Sequence, residues 1–176
     1  GDKRALQAGT SHYLGQNFAK AFDVKFQDID NKEKYVYATS WGVTTRLIGA
    51  LIMVHGDNKG LRLPPKIAPI QAVVIPIHKT NDELKKINLY LKDVYKYFKA
   101  NNISFYFDDR VKISPGFKFN EWEMKGVPLR IEIGPRDIAN NQLTIVRRDT
   151  LEKSIIDYKI ITETINQTLI DIQLNM

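Results

Sequence analysis

The sequence predicts an α/β protein, α+β over its whole length, with one domain at residues 1–65 and a second, mixed-sheet α/β domain at residues 66–176. Three observations carry this. IQAVVIPI (70–77) is a short, nearly continuous apolar run, as a strand buried on both faces requires. Thr80 and Glu83 form a T-x-x-E capping box ahead of apolar residues at helical spacing, Leu84, Ile87, Leu91, Val94 and Phe98. LRIEIG (129–134) alternates, with Leu129, Ile131 and Ile133 on one side and Arg130 and Glu132 on the other.

VKFQDID and EKYVYATS read as two strands joined by the polar turn Asp30-Asn31-Lys32. After Gly42, the residues Val43, Leu47, Ile48, Leu51, Ile52 and Val54 recur at helical spacing and predict a buried helix. HGDNKG is a loop signal, LRLPP a short extended segment, and Pro64-Pro65-Lys66 the expected linker. Beyond it, ISFYFDD (103–109) and QLTIVRRD (142–149) are further strands. Ser114-Pro115 start a short helix that Gly126 and Pro128 stop. Residues 153–174 carry Tyr158, Ile161, Ile165, Leu169 and Ile172 on one stripe and predict an amphipathic helix. The second part thus reads β-α-β-α-β-β-α, a sheet covered by helices.

The net charge is +6 at a pI near 9.4, which suits a polyanionic partner. The excess is spread evenly: residues 1–65 hold 9 basic against 6 acidic groups and residues 66–176 hold 17 against 14, +3 in each. Charge alone therefore leaves a well-mixed solvated surface as good a reading as nucleic-acid binding. The absence of cysteine excludes disulfides and thiolate zinc sites, in keeping with a cytoplasmic location. No apolar run is long enough for a membrane span, so no membrane partner is expected. There is no initiating Met and the chain moves straight into a dense motif, so a longer parent protein is expected.

Three stretches could carry chemistry. Arg46 opens an apolar helix, where the positive end of the dipole disfavours a cation. It makes sense there if an anion docks on the free amides and the guanidinium adds a charge-assisted contact, with the Thr44 hydroxyl beside it. The alternative is an arginine that reaches solvent or pairs with a nearby carboxylate. In ALQAGTSHYLGQNF (5–18), Gln7, Thr10, Ser11 and His12 cluster around Gly9 and suit a ligand-facing loop or strand end; an ordinary polar turn is the other reading. In 108–137, Asp108, Asp109 and Arg110 fall at the carboxyl end of a strand, where open α/β sheets place ligands. Lys118, Glu121 and Lys125 share one face of the following helix, and Phe119 and Trp122 another. Such a gathering suits single-stranded nucleotides, although the aromatics Phe117, Phe119 and Trp122 fit a core better. His55 and His78 show no metal-ligand spacing.

The strings RALQAGTSHYLGQNF, SWGVTTRLIGALIMVHGDNKGLRLPP and SPGFKFNEWEMKGVPLRIEIGPRD resemble the prolyl-tRNA synthetase family, of the eukaryote-like and archaeal-like type. G-x-T-T-R-x-I-G followed by G-L-x-L-P-P is similar to the third signature motif of class II aminoacyl-tRNA synthetases. The likeness runs from Arg4 to the final helix.

The resemblance implies an ATP-dependent aminoacyl-tRNA ligase that activates L-proline to prolyl-adenylate and transfers it to proline tRNA. Arg46 would be the catalytic arginine on the ATP phosphates, with Gln7, Thr10 and Thr44 also on the ATP side and Gln7 near a magnesium ion. His12, Ser40, Trp41 and Gly42 would line the proline pocket. Residues 1–65 would be the end of a class II antiparallel catalytic sheet with its motif 3 helix. Residues 66–176 would be the anticodon-binding domain, with Arg110, Lys118, Glu123, Lys125 and Arg136 facing the anticodon. Motifs 1 and 2 are absent from these residues, so the isolated chain is expected to make no adenylate. The parent is expected to be a homodimer, a state the resemblance does not extend to this chain without motif 1. A stand-alone, non-catalytic anticodon-binding module is the alternative; the set Gln7, Thr10, His12, Thr44 and Arg46 argues against it. A threonyl relative would be expected to carry a zinc-binding cysteine.

Overall fold

The structure is a computed structural model that describes residues 5–176; Arg4, where the resemblance begins, lies outside them. Two compact units divide the chain, Gly1–Val54 and His55–Met176. The division falls before the Pro64-Pro65-Lys66 segment because residues 55–63 are hydrogen-bonded into the second unit: Leu63 N–H donates to the Gly126 carbonyl (3.2 Å).

The first unit begins with strand β1 (Gly9–Gly15), helix α1 (Asn17–Ala21), β2 (Lys25–Gln27), β3 (Glu33–Tyr35) and β4 (Ala38–Val43). β2 and β3 form the expected hairpin across Asp30-Asn31-Lys32. Ala38–Ser40, expected to end the EKYVYATS strand, instead starts a separate strand antiparallel to β1 that runs on to Val43, a residue expected in the helix. Helix α2 (Arg46–His55) forms as its periodicity predicts, but none of its residues is buried. A helix stripe is buried only when a sheet lies against it, and the sheet here has two strands. Among the described residues of this unit, Ala19 alone is buried.

The second unit opens with a hairpin, β5 (Gly56–Asp57) and β6 (Gly60–Leu61), where the sequence suggests a loop. Next come β7 (Ala72–Pro76), α3 (Asn81–Tyr90), α4 (Lys92–Ala100), β8 (Phe105–Phe107), α5 (Pro115–Met124), β9 (Leu129–Ile133), α6 (Pro135–Ala139), β10 (Gln142–Arg147), β11 (Lys153–Asp157) and α7 (Ile161–Asn175). The strands form a five-stranded mixed sheet in the order β11-β10-β9-β7-β8. β7 runs parallel to β8 and β9; β10 is antiparallel to its two neighbours.

One sheet face packs Ala72, Val74, Leu129, Ile131, Ile133, Leu143 and Ile145 against Ile87 of α3, Val94 and Phe98 of α4, and Ile161, Ile165 and Leu169 of α7. On the other face, Val73 and Ile75 meet Trp122 of α5 and Val127. β7 is buried along its whole length, as its continuous apolar run requires. The Thr80–Glu83 capping box is formed, with both reciprocal bonds.

Two expectations change in the second unit. The single helix from Thr80 is two, because Leu91 (ψ of 2°) bends the rod while the bonds Leu91 N–H to Ile87 O and Tyr95 N–H to Leu91 O carry through. The helix expected from 153 begins only at Ile161: Lys153–Asp157 pairs with β10 as an edge strand. Ser154 and Ile156 turn inward at strand spacing, and the Tyr158-to-Ile172 stripe belongs to the helical segment beyond the strand.

Gly126 has φ of +76°, and a Cβ there would stand 2.6 Å from the Leu61 Cβ. Gly126→Ala is therefore expected to lower the urea-unfolding free energy by more than about 1 kcal/mol. Gly116→Ala, where a Cβ meets nothing within 4 Å, is expected to be neutral or slightly stabilising.

Candidate active-site strands and nucleic-acid interface

Two groups of candidate residues come together, one in each unit. In the first unit, β1 and β4 pair Thr10 with Gly42, Ser11 with Trp41, and His12 with Ser40. Directly opposed residues share a sheet face, so Thr10, His12, Ser40 and Gly42 line one side. Trp41 falls on the other side with Ser11, and is 79% exposed. The strands therefore group His12, Ser40 and Gly42 but set Trp41 apart from them.

Arg46 is the first residue of α2. Its Nη1 donates to Gln7 Oε1 (3.4 Å), and Gln7 Nε2 donates to Thr10 Oγ1 (2.8 Å). Its backbone N–H donates to Thr44 Oγ1 (3.3 Å), a turn that opens the helix. Gln7, Thr10, Thr44 and Arg46, up to 39 positions apart in sequence, thus form one polar chain at a helix N-terminus.

The second group surrounds Asp108, just past the end of β8. Asp108 is fully buried. Its carboxylate accepts from Arg110 Nε (2.8 Å) and Nη2 (2.7 Å), and from the Trp122 indole (2.8 Å). The Lys118 ammonium, itself buried, donates to the Asp108 carbonyl (2.8 Å) and lies 3.4 Å from its carboxylate. Burial pushes the Asp108 carboxyl up, but the bonds from Arg110 and Trp122 and the charge of Lys118 outweigh it and hold the group below the usual carboxylate range. Arg110 also binds Glu121 (2.6 Å), which accepts from Lys125 (2.7 Å). Lys125 in turn lies over the Trp122 ring at 4.4 Å.

Arg110, Lys118, Glu121 and Lys125 are accordingly one charged network on α5 and the loop before it. A cleft of about 170 Å³ adjoins it, lined by Pro76, His78, Arg110, Ser114 and Lys118 among others. A second cleft, about 470 Å³, shares His78 and reaches Lys79, Glu83 and Arg136. Both open at the carboxyl ends of the parallel strands β7 and β9, where α/β sheets bind ligands. Glu123 does not join them: it accepts from Arg130 (2.7 Å), whose guanidinium stacks on Phe119. Lys118 is spent on Asp108 rather than presented outward. Trp122 is core, as expected, and Phe119 packs against that core, but Phe117 is 59% exposed.

The sequence does not reveal the Trp122 indole as the donor that satisfies Asp108, nor that the buried Arg148 pairs with the more exposed Asp57. Arg148 donates from both terminal nitrogens to the Asp57 oxygens (2.7 and 2.8 Å). These partners lie 91 positions apart, and no local pattern links them.

Among the described residues no group of three or more His, Asp or Glu side chains could hold a metal, and no helix is long and apolar enough to cross a membrane.

A five-stranded mixed sheet with helices on both faces and charged clefts at the carboxyl ends of its parallel strands defines an α/β module. The chain belongs to the anticodon binding domain family, whose profile matches residues 71–168. It is 55% identical to a proline–tRNA ligase of Flavobacterium psychrophilum over 98% of this chain and 35% of that protein. It is also 55% identical to those of Cytophaga hutchinsonii and Symbiobacterium thermophilum, in each case over 99% of this chain and 36% of the relative. The chain thus spans little more than a third of the length of these curated relatives.

Asp108→Ala would leave the Lys118 ammonium and Arg110 without their carboxylate, and is expected to cost about 3–5 kcal/mol in urea unfolding at neutral pH. Because the folded carboxyl titrates below its unfolded value, its contribution is complete above about pH 4 and falls as the pH drops from there through the folded value. The gap between wild type and Asp108→Asn is expected to narrow over that acid range.

Proposed function

We propose that this chain is part of a proline–tRNA ligase, with its second unit reading the tRNA anticodon and its first unit contributing to proline activation. What carries the reading is the conjunction of two sites in one chain: the Gln7–Thr10–Arg46 contact at a helix N-terminus, and the basic clefts of an anticodon-binding fold. A stand-alone anticodon-binding module needs only the second.

In the first unit, Arg46 and the N-terminal amides of α2 would take the ATP phosphates, with Thr44 and Thr10 as hydroxyl donors. Gln7 offers one neutral amide oxygen, a donor that fits a magnesium ion carried in on the triphosphate rather than one held by the protein. Such an ion would supply neutralisation of the phosphate charge. Arg46 stabilises the same charge from its helix end, so catalysis is positioning and electrostatics rather than proton transfer. His12, Ser40 and Gly42 share the face on which proline would sit. Trp41, on the opposite side, would shape the pocket only from its rim.

In the second unit, Arg110 lines one cleft and Arg136 the other, and the exposed Phe117 ring offers a surface on which a base can stack. Lys125 would add phosphate attraction. Lys118 and Glu123 would act from beneath, Lys118 by holding Asp108 and Glu123 by holding Arg130. The working location would be the cytoplasm.

The test is binding of this chain to a proline tRNA transcript and to the same transcript with both anticodon guanines replaced, at one moderate salt concentration so that phosphate contacts count equally. Replacement is expected to weaken binding tenfold or more, about 1.4 kcal/mol. Equal affinities would contradict anticodon reading by residues 66–176.

A further inference from the structure

We propose that the outer edge of β11 pairs with the same edge of a second copy of this chain, joining two sheets into one across a two-fold axis at Ile155. β11 is an end strand of its sheet, and among the described residues it pairs with β10 alone. The bonds flanking this ladder fix which backbone groups of β11 look outward. Arg147 N–H donates to the Glu152 carbonyl (3.0 Å), and Tyr158 N–H to the Asn141 carbonyl (2.9 Å). Hydrogen-bonded and non-hydrogen-bonded pairs alternate along an antiparallel ladder. Between those two ends Ser154 and Ile156 therefore bond to β10, while the N–H and C=O groups of Lys153, Ile155 and Asp157 point away from it. Such a row of open groups is a template for another strand.

The side chains on that row single out a second copy as the occupant. Lys153, Ile155 and Asp157 share one face of the strand, the face away from Ile156 and the main core. Ile155, at the centre, is an apolar residue left 64% exposed. An antiparallel copy centred on it sets Ile155 against Ile155, and sets Lys153 and Asp157 against each other twice. Every residue so opposed has its backbone groups pointing outward, so each pair can exchange both of its bonds. A shift of one residue opposes outward groups to inward ones and makes none of these bonds; a shift of two sets Ile155 against a charge. The strand is thus complementary to itself in one register, as a two-fold interface requires. Lys153 binds Glu132 (2.7 Å), which draws its stem over the sheet face rather than across the edge, and its ammonium has further donors to give. Asp157 accepts from the Lys159 N–H through Oδ1 (2.9 Å), leaving Oδ2 for a partner. β8, whose end carries Asp108, is the opposite edge of the sheet, so the pairing leaves that network uncovered.

The experiment is sedimentation velocity, with residue-resolved amide hydrogen exchange, on this chain between about 20 and about 500 µM, a range suited to the weak association that so small an interface supports. Wild type, Asp157→Lys and Ile155→Pro are compared. Wild type is expected to form a dimer towards the upper end. There the amides of Lys153, Ile155 and Asp157 are expected to exchange at least fivefold more slowly than at the lower end, with Ser154 and Ile156 unchanged. Asp157→Lys sets like charges against each other, and Ile155→Pro removes an N–H that β10 does not use. Both are expected to weaken dimerisation at least tenfold while Ser154 and Ile156 stay protected, which shows β11 still in its sheet. Should a variant lose that protection, the alternating wild-type pattern decides alone. A wild-type chain that stays monomeric throughout overturns the proposal. So does a dimer that gives no alternating protection in β11, or one that both variants form as tightly as wild type, since either is joined elsewhere.

Discussion

The second unit is organised around a carboxylate that cannot be left alone. Asp108 is fully buried at the end of β8, and an isolated carboxylate there would not stay ionised. It is kept charged by a guanidinium, an indole N–H and a buried ammonium, drawn from the loop after β8 and from α5. Each donor fixes something else. Trp122 pins α5 to the sheet, Lys118 pins its first turn to the β8 backbone, and Arg110 carries the network outward to Glu121 and Lys125. The shape of the basic cleft is therefore a consequence of satisfying one buried charge. The same requirement explains why Lys118 is not a surface contact although its spacing places it on the charged face.

The two units differ in how far they can account for themselves. The second has a core on both sheet faces, and its buried carboxylates are paired: Glu132, on β9, accepts from Arg130 and Lys153. The first has two two-stranded sheets and an apolar helix with no buried residue. Its organisation is polar and local, resting on the Arg46–Gln7–Thr10 contact and on strand register. That register places His12 opposite Ser40, the arrangement on which the proline-facing assignment depends.

Much of the fold was legible in the sequence where the pattern was local and strong. The continuous apolar run of β7, the Thr80–Glu83 box, the Ser114-Pro115 start and the alternation of β9 each state their structure in a few adjacent residues. The failures share a cause. Lys153–Asp157 comes after a tight turn and leads into a helix, so its short alternation merges with the helical stripe beginning at Tyr158. α6 is five residues fixed by Pro135 and by the Asp137 carboxylate accepting from the Gly134 N–H, a signal easily taken for a turn. In the site, residue types and motif spacing singled out Arg46, Gln7, Thr10 and Arg110. What side chains do once folded was not readable: Trp41 on the far face, Glu123 turned to Arg130, and Arg148 reaching Asp57 all depend on tertiary pairing.

The central claim is that α5, held by Asp108 through Trp122, forms the RNA-reading surface. The chain has two tryptophans, one in each unit, so their indole N–H resonances separate the possibilities. Titration of the chain with an RNA stem-loop bearing the proline anticodon, monitored by nuclear magnetic resonance, is the direct test. A saturable shift of the Trp122 indole with Trp41 unmoved is the expected result. A shift of Trp41 alone, or no shift of either at saturating RNA, would contradict it.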